Sequence, residues 1–365
     1  MHFKNFILLG FLSLIFSVGA FAQDFHYTQY FHSPLGVNPA LAGAFNGSYR
    51  INGVVRDQNR PVGGNSYFGY SLNVDAPIIR GIRKQDWVGI GLRLESSTAG
   101  SANQKINIYG LGASYHLSLD KKQTQILSLG VQYGTGGYSY SGIDLAGDDN
   151  AFGSTIIGGA AGISLQAEEF QSSGTPTSGG GNNNTDIGGS LNDLTVGLLY
   201  NTRDVKNGTD FKLGLGIEGI LNPNRSAGIR VEGAGGVRDN KGIGINAFTA
   251  YEFELTKRAS LTSGAYYYTN KKASALNVNS IMNYKMKPDN ALTLHAGLGL
   301  RNIRAGLIYL GTSIKDIRVG LAYDLDISSA TTASGGHGGV ELAVSYIGKI
   351  YKKPKPKPII YCPRL

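Results

Sequence analysis

The sequence predicts an all-β protein, a transmembrane antiparallel β-barrel of about 14 strands, with about 12 or 16 strands as alternatives. Segments of roughly ten residues, in which apolar side chains alternate with polar ones or glycine, recur along most of the chain. Gly accounts for 53 and Tyr for 21 of the 365 residues, whereas ordinary Gly usage is about 7%. Glycine relieves crowding inside a barrel, and tyrosine suits the boundary between membrane and water.

The chain begins with the features of a secretory signal peptide over residues 1–22. Lys4 supplies a short charged region, and residues 6–18 form an apolar run that is too short to span a bilayer. Ala20-Phe21-Ala22 provides the small residues that signal peptidase requires, so Gln23 becomes the first residue of the exported chain. No cysteine follows this cleavage site, so a lipoprotein is not expected.

Composition excludes several classes of protein. The single cysteine, Cys362, cannot form an intramolecular disulfide framework. The histidines are scattered without ligand spacing, so we expect no metal site and no cofactor. No later stretch reaches about 18 consecutive apolar residues, which excludes a helical membrane protein. The net charge of +9 is concentrated towards the C-terminus and lacks the basic face of a nucleic-acid-binding protein.

Residues 23–47 are predicted to form an N-terminal segment that packs on or in the barrel. Its aromatic and leucine side chains would be exposed to water if the segment were free. These side chains are Phe25, Tyr27, Tyr30, Phe31, Leu35, Leu41 and Phe45.

Residues 48–350 are predicted to form the barrel. A soluble β-sandwich also shows alternation, but here the charged residues lie on the face opposite the aliphatic ones, as a wet lumen permits. Tyrosines near strand ends also favour a membrane barrel, as residues of the aromatic girdle: Tyr49, Tyr133, Tyr200, Tyr284, Tyr309, Tyr346 and Tyr351. The predicted strands are 48–56, 66–75, 87–95, 104–118, 125–138, 194–201, 211–221, 242–256, 259–270, 275–287, 290–300, 304–312, 315–327 and 339–350. Segments 154–166 and 227–235 are either further strands or parts of long loops.

The unequal connections predict an orientation. Lys257-Arg258 and Pro288-Asp289 are tight turns and should face the periplasm. Residues 139–193 form the longest break, a Gly/Asn/Ser-rich loop region that should be extracellular, and its part 171–190 has almost no apolar residue to bury. A plug folded into the lumen is the alternative for this region.

Residues 351–365 form a Lys/Pro-rich tail that is predicted to extend into the periplasm. Alternating Lys and Pro favour an extended polyproline II conformation rather than a helix or a strand. The tail is either a solvated terminus or a tether with an apolar tip for a periplasmic protein. The candidate partner-binding residues are Lys352, Lys353, Lys355, Lys357, Ile359, Ile360 and Tyr361.

No catalytic arrangement emerges from the sequence. Asp144, Asp148 and Asp149 lack the spacing of a calcium loop, and a solvated turn explains them better. Gly110-Leu-Gly112 and Gly242-Ile-Gly244 lie within strand patterns with no helix behind them, so they are barrel glycines rather than a dinucleotide-binding loop. We therefore expect a protein without enzymatic activity.

Several blocks resemble the PorP/SprF family. The most specific is Gln23-Asp-Phe-His-Tyr-Thr-Gln-Tyr-Phe31, followed by Pro34 and Asn38-Pro-Ala-Leu-Ala-Gly43, and the motif residues are Gln29, Tyr30, Pro34, Asn38, Pro39, Ala40 and Gly43. Arg56-Asp-Gln58 at the end of the first strand and the terminal Cys362-Pro-Arg-Leu365 are also similar. Residues 171–190 depart from the family and look like an insertion.

The resemblance implies an outer-membrane component of the type IX secretion and gliding machinery of Bacteroidota. Its partners would be outer-membrane lipid, the C-terminal domain of a secreted cargo or adhesin, the translocon and the periplasmic motor ring. Such a barrel supports export or surface attachment of a specific cargo protein. The alternative is a passive porin or a fatty-acid-type transporter of hydrophobic ligands.

Overall fold

The structure, a computed structural model, describes most of the predicted barrel and much of the N-terminal segment. The described residues are 27–58, 67–83, 85–99, 104–144, 184–204, 207–221, 242–270, 274–286, 292–327 and 336–350. The predicted signal peptide, the segments 154–166 and 227–235, the Pro288-Asp289 turn and the Lys/Pro-rich tail all lie outside them. Within the described residues no helix is long and apolar enough to cross a membrane.

Fourteen strands form one closed antiparallel barrel, in which neighbours in sequence pair with each other and β1 pairs with β14. The predicted fold class is therefore confirmed. The strands are β1 (Tyr49–Gln58), β2 (Tyr67–Arg80), β3 (Trp87–Ala99), β4 (Gln104–Ser118), β5 (Gln125–Asp144), β6 (Asn184–Asp204), β7 (Thr209–Glu218), β8 (Gly244–Thr256), β9 (Ala259–Thr269), β10 (Ser274–Lys285), β11 (Leu292–Arg301), β12 (Ala305–Ile314), β13 (Ile317–Asp326) and β14 (His337–Gly348).

Alternation along the strands separates an outer apolar face from an inner face. On β3, Ile90 and Leu92 are exposed on the outside, whereas Gly91 faces inward against Leu35. Large exposed apolar side chains of this kind recur around the barrel, as expected of a surface that contacts lipid. The inner face carries buried polar groups such as Asn73 and His116, as the sequence predicted for the lumen.

Strands β5 and β6 are longer than predicted. Their predicted limits, 138 and 194, fall inside a hairpin in which Tyr140 pairs with Ile187 and Asp144 pairs with Asn184. The hairpin thus extends into the predicted loop 139–193. Backbone pairing holds two strands together whatever their side-chain pattern, so the alternation pattern did not show these strand ends.

Two smaller predictions were also wrong. Strand β2 does not end at 75 but continues through Pro77, where a register shift between Pro77 and Ile79 accommodates a residue without an N–H. Tyr309 does not belong to an aromatic girdle, because it points inward and is 6% exposed. Strand β12 is apolar on both faces, and its inner face packs against the N-terminal segment instead of water.

The barrel has two different ends. We call the end with the short turns, such as 257–258 and 315–316, the turn mouth, and β1 begins and β14 ends there. The opposite end, the loop mouth, carries the long connections, including 145–183. In outer-membrane barrels the short turns face the periplasm.

Candidate functional site in the barrel lumen

Residues 27–47 lie inside the barrel, and we call them the lumen segment. It consists of a 3-10 turn over Tyr30–His32, one α-helical turn, α1, over Pro34–Val37, and a second 3-10 turn over Pro39–Leu41. Pro34 and Pro39 occupy first-turn positions, where a missing N–H is tolerated. The Asn38 side chain caps the last turn by accepting a hydrogen bond from the Ala40 amide at 2.9 Å.

The lumen segment is fixed to the wall near the loop mouth at Thr28 and Gln29. The Thr28 and Gln29 amides donate to the Glu341 carboxylate at 2.5 and 2.8 Å. The Thr28 hydroxyl donates to Asp324 at 2.9 Å and accepts from the Arg56 guanidinium at 2.8 Å. Arg56 also pairs with Asp324 at 2.5 Å and with Glu341.

Arg301 completes this group by pairing with Asp324 at 2.8 Å. We call Arg56, Arg301, Asp324 and Glu341 the seam cluster, since Arg56 on β1 and Glu341 on β14 are direct partners across the strand pair that closes the barrel. The two arginines balance the two carboxylates, and Arg56, Asp324 and Glu341 are at most 1% exposed. Buried charges persist only when paired and hydrogen-bonded, so the cluster joins the lumen segment to the closing strands.

The middle of the lumen segment packs against the wall through apolar and amide contacts. Tyr30 stacks on Tyr266 at a ring-centroid distance of 5.3 Å, and Phe31 meets the edge of Tyr309 at 5.8 Å. The Asn38 amide donates to the carbonyl oxygens of Leu198 and Leu215, at 3.3 and 2.8 Å. The main hydrophobic core of the described residues therefore lies in the lumen, between this segment and the wall. It comprises Tyr30, Val37, Ala40, Leu199, Phe248, Tyr266, Tyr268 and Ala275.

The segment reaches the turn mouth at Ala42 and Gly43. The Gly43 amide donates to Asp75 at 2.7 Å, and the Gly43 carbonyl accepts from the Trp87 indole at 3.0 Å. Ser114 donates to the Ala42 carbonyl at 2.6 Å. Gly43 has a φ of +67°, and a Cβ added there would lie 2.8 Å from the Gly89 Cα. This position therefore needs glycine both for its backbone conformation and for space.

Glycines on the inner wall make room for the segment. A Cβ added at Gly89 would lie 2.1 Å from the Ala42 carbonyl oxygen, and one at Gly130 would lie 2.2 Å from the Ala40 amide. At Gly197 it would lie 2.0 Å from the Asn38 side chain. A real Cβ could not occupy these positions, so the wall fits the backbone of the segment at Gly89 and Gly130 and the Asn38 side chain at Gly197.

A family model for the type IX secretion system membrane protein PorP/SprF matches residues 19–346. The chain belongs to this family. The protein is accordingly a β-barrel component of type IX secretion in the outer membrane, as the sequence resemblance predicted. No curated protein matches the chain.

Solved structures with a similar fold include three bacterial barrels. The toluene transporter TbuX of Ralstonia pickettii is 11% identical, with a TM-score of 0.48, and the match covers 86% of this chain and 92% of that one. A FadL homologue of Pseudomonas aeruginosa is 12% identical, with a TM-score of 0.45 and coverages of 90% and 100%. The translocator domain of the autotransporter NalP from Neisseria meningitidis is 13% identical, with a TM-score of 0.41 and coverages of 87% and 94%.

The structure brings all the predicted motif residues of this PorP/SprF protein into the lumen segment. Gln29 contacts the seam cluster, Tyr30 belongs to the lumenal core, and Gly43 contacts the wall at the turn mouth. Pro34, Asn38 and Pro39 shape the turns between these contacts, with Ala40 beside Gly130. The candidate partner-binding residues of the tail, Lys352 to Tyr361, lie outside the described residues.

Sequence reasoning missed the residues that receive this segment. Asp324 and Glu341 occupy polar positions of alternating strands, which predicts that they face the lumen but not what they bind. Their partners, Thr28 and Arg56, are remote in sequence. One signal in the sequence could have predicted part of this cluster. The first and last strands are neighbours in a closed barrel, and they carry an arginine and a carboxylate at inward positions.

Proposed function

We propose that this protein supports export or surface attachment of one specific cargo, such as an adhesin, as a closed barrel that binds other proteins and has no enzymatic activity. Membership of the PorP/SprF family supports the secretion role. The lumen segment supports the closed state, because it runs inside the barrel from the seam cluster to the turn mouth and packs against the wall. A polypeptide could pass through this lumen only after those contacts had been broken.

A passive porin receives less support from the lumen. A passive channel requires a continuous water-filled path. Here the backbone of Pro39 and Ala40 approaches the wall at Gly130 more closely than any side chain would allow. A passive pore would therefore require the departure of a segment that holds the lumenal core together.

The cargo role is tested by deleting the gene and labelling proteins on the surface of intact cells. We expect one or a few exported proteins to disappear from the surface, while uptake of small solutes stays unchanged. Complementation with the full chain should restore them. An unchanged set of surface proteins, together with lost uptake of a solute, would instead assign the barrel to transport.

A further inference from the structure

The turn mouth is basic. Exposed lysines and arginines lie on or beside the turns that join β4 to β5, β6 to β7, β8 to β9 and β12 to β13. We call this set the basic rim, and it consists of Lys121, Lys122, Arg203, Lys257, Arg258 and Lys315. Within the described part of the chain, none of these six side chains takes part in an ion pair.

Most carboxylates at the same mouth accept hydrogen bonds or form ion pairs within the protein. Asp86 accepts from the Tyr115 hydroxyl and the Ser118 amide, at 2.7 and 2.9 Å. Asp120 accepts from the Thr124 and Gln125 amides, at 2.8 and 2.9 Å. Asp316 pairs with Lys349 at 3.0 Å. These acids, together with Asp204 and Glu254, keep their negative charge. The six bases of the rim, with Arg80, Arg83 and Lys349, outnumber them, so the field at this mouth is positive.

The loop mouth differs in this respect. Its described arginines Arg56 and Arg301 point inward and are paired with the carboxylates of the seam cluster, and its exposed bases are Lys105 and Arg304. Among the described residues, more exposed bases therefore lie at the turn mouth than at the loop mouth. Net charge alone would not reveal this, since it does not say where the charge lies.

Hydrogen bonds also join part of the rim to neighbouring turns. The Gln85 side chain donates to the Lys121 carbonyl at 3.3 Å, and the Gln123 side chain donates to the Gln85 carbonyl at 2.7 Å. The Arg203 amide donates to the Thr124 carbonyl at 2.8 Å. These bonds tie neighbouring turns to each other, and a preorganised surface loses little entropy when a structured partner docks.

We propose that the basic rim is an electrostatic docking surface for an acidic protein in the aqueous compartment below the turn mouth. A protein is favoured over lipid headgroups because Lys257, Arg258 and Lys315 lie on turns beyond the strands. Aromatic residues such as Tyr49 and Tyr346 already occupy the outward face near this mouth, where the headgroup boundary is expected. This inference depends on the charge distribution and not on the cargo role proposed above.

The test uses the full-length barrel in nanodiscs of zwitterionic lipid, with a labelled polyglutamate peptide as the probe. Lys122→Gln, Lys257→Gln and Lys315→Gln are combined in one variant. Exposed ion pairs are individually weak, so three losses should reduce affinity by roughly tenfold. The control combines Lys105→Gln and Arg304→Gln, whose side chains are exposed at the loop mouth, and should bind as the parent does. Both variants keep the tail, so its lysines contribute equally.

Raised salt should weaken binding to the parent barrel, since exposed charges are screened. Equal affinities of the rim variant and the parent would overturn the proposal, as would equal binding of a polyglutamine peptide. Loss of peptide binding when the discs contain anionic phospholipid would also overturn it, and would assign the rim to lipid phosphates. None of these outcomes bears on cargo display in cells, so the two proposals fail separately.

Discussion

At the scale of single residues, the seam cluster is the most sensitive point of the molecule. Four charges lie there, and the lumen segment is attached to three of them through Thr28. The two positive and two negative charges cancel only while all four residues are present. Removal of one member therefore leaves an unpaired charge in the barrel wall, whereas removal of two opposite charges does not.

The substitution Arg56→Met should destabilise the barrel by about 3 to 5 kcal/mol, because Glu341 and Asp324 lose a shared partner. Adding Glu341→Gln to that variant should recover part of the loss. The remaining Asp324 and Arg301 then form a neutral pair, and the glutamine oxygen can still accept one of the two amides, Thr28 or Gln29, that Glu341 accepts. The stability of both variants is measured by unfolding in denaturant, with heat-modifiable gel mobility as the readout. Arg83→Met is the control, because the Arg83 side chain is 72% exposed. A double variant less stable than Arg56→Met would contradict the charge-balance explanation.

The fit between wall glycines and the lumen segment predicts a second effect. Gly130→Ala should push the segment away from the wall, at a cost of about 1 to 3 kcal/mol. The only tryptophan, Trp87, donates to Gly43 of this segment, so its fluorescence emission should shift to longer wavelength. Gly53→Ala is the matched control, since a Cβ there meets nothing within 4 Å. Identical emission spectra of the two variants would mean that the segment does not contact β5 as described.

At the scale of elements, the turn between β4 and β5 depends on one carboxylate. Backbone hydrogen bonds, above all from the Gln125 amide, lower the pKa of Asp120 from its ordinary value. A carboxylate with a lowered pKa stabilises the folded state at pH values above its ordinary pKa, and that contribution disappears as the pH falls through the lowered value.

Asp120→Asn should therefore reduce stability at neutral pH, since the amide presents one acceptor oxygen where the carboxylate used two. The difference from the parent should shrink as both proteins are acidified below the ordinary aspartate pKa of about 3.9. Thermal unfolding of both proteins, measured from neutral pH to below the ordinary aspartate pKa, tests this prediction. Asp316→Asn, which removes only an exposed ion pair, should change little. A stability difference that is constant with pH would argue against the charged form as the cause.

The tail gives a prediction at the same scale. Deletion of residues 352–365 should leave barrel assembly unchanged, because β14 ends at Gly348 with its pairing to β1 complete. The tail can reach roughly 40 Å at ~3.1 Å per residue, so we expect cargo display to fall. Replacing Lys352, Lys353, Lys355 and Lys357 by Gln tests attraction between charges. Replacing Ile359, Ile360 and Tyr361 by Ser tests the apolar tip. Normal display from the truncated barrel at equal abundance would leave only a solvated terminus.

At the scale of the whole molecule, the sequence predicted the barrel well and the lumen poorly. Alternation with period two specifies which residues face lipid, and it located all fourteen strands. It did not show that Tyr309 faces inward, because the inner face of β12 is apolar where it meets Phe31. Nor did it pair Thr28 with Glu341, since a contact between remote residues depends on how the barrel closes.

The N-terminal segment shows the same limit. Its aromatic residues predicted that it would pack on or in the barrel, but they could not say which. Features of the wall place the segment in the lumen. Gly89 and Gly130 leave room for its backbone, and Gly197 leaves room for its Asn38 side chain. The carboxylates of Asp75 and Glu341 accept hydrogen bonds from its amides. These wall features lie on different strands and come together only in the closed barrel.

The closed lumen is tested most directly by the ionic conductance of the purified full-length barrel in planar lipid bilayers. The packing of residues 27–47 predicts insertion without a steady open-channel current. A variant that combines Arg56→Met with Gly130→Ala weakens the contacts of the segment at Thr28 and at Ala40. This variant should show bursts of current in the same bilayers. A stable open conductance of the parent protein, comparable to that of a water-filled porin, would contradict the closed barrel.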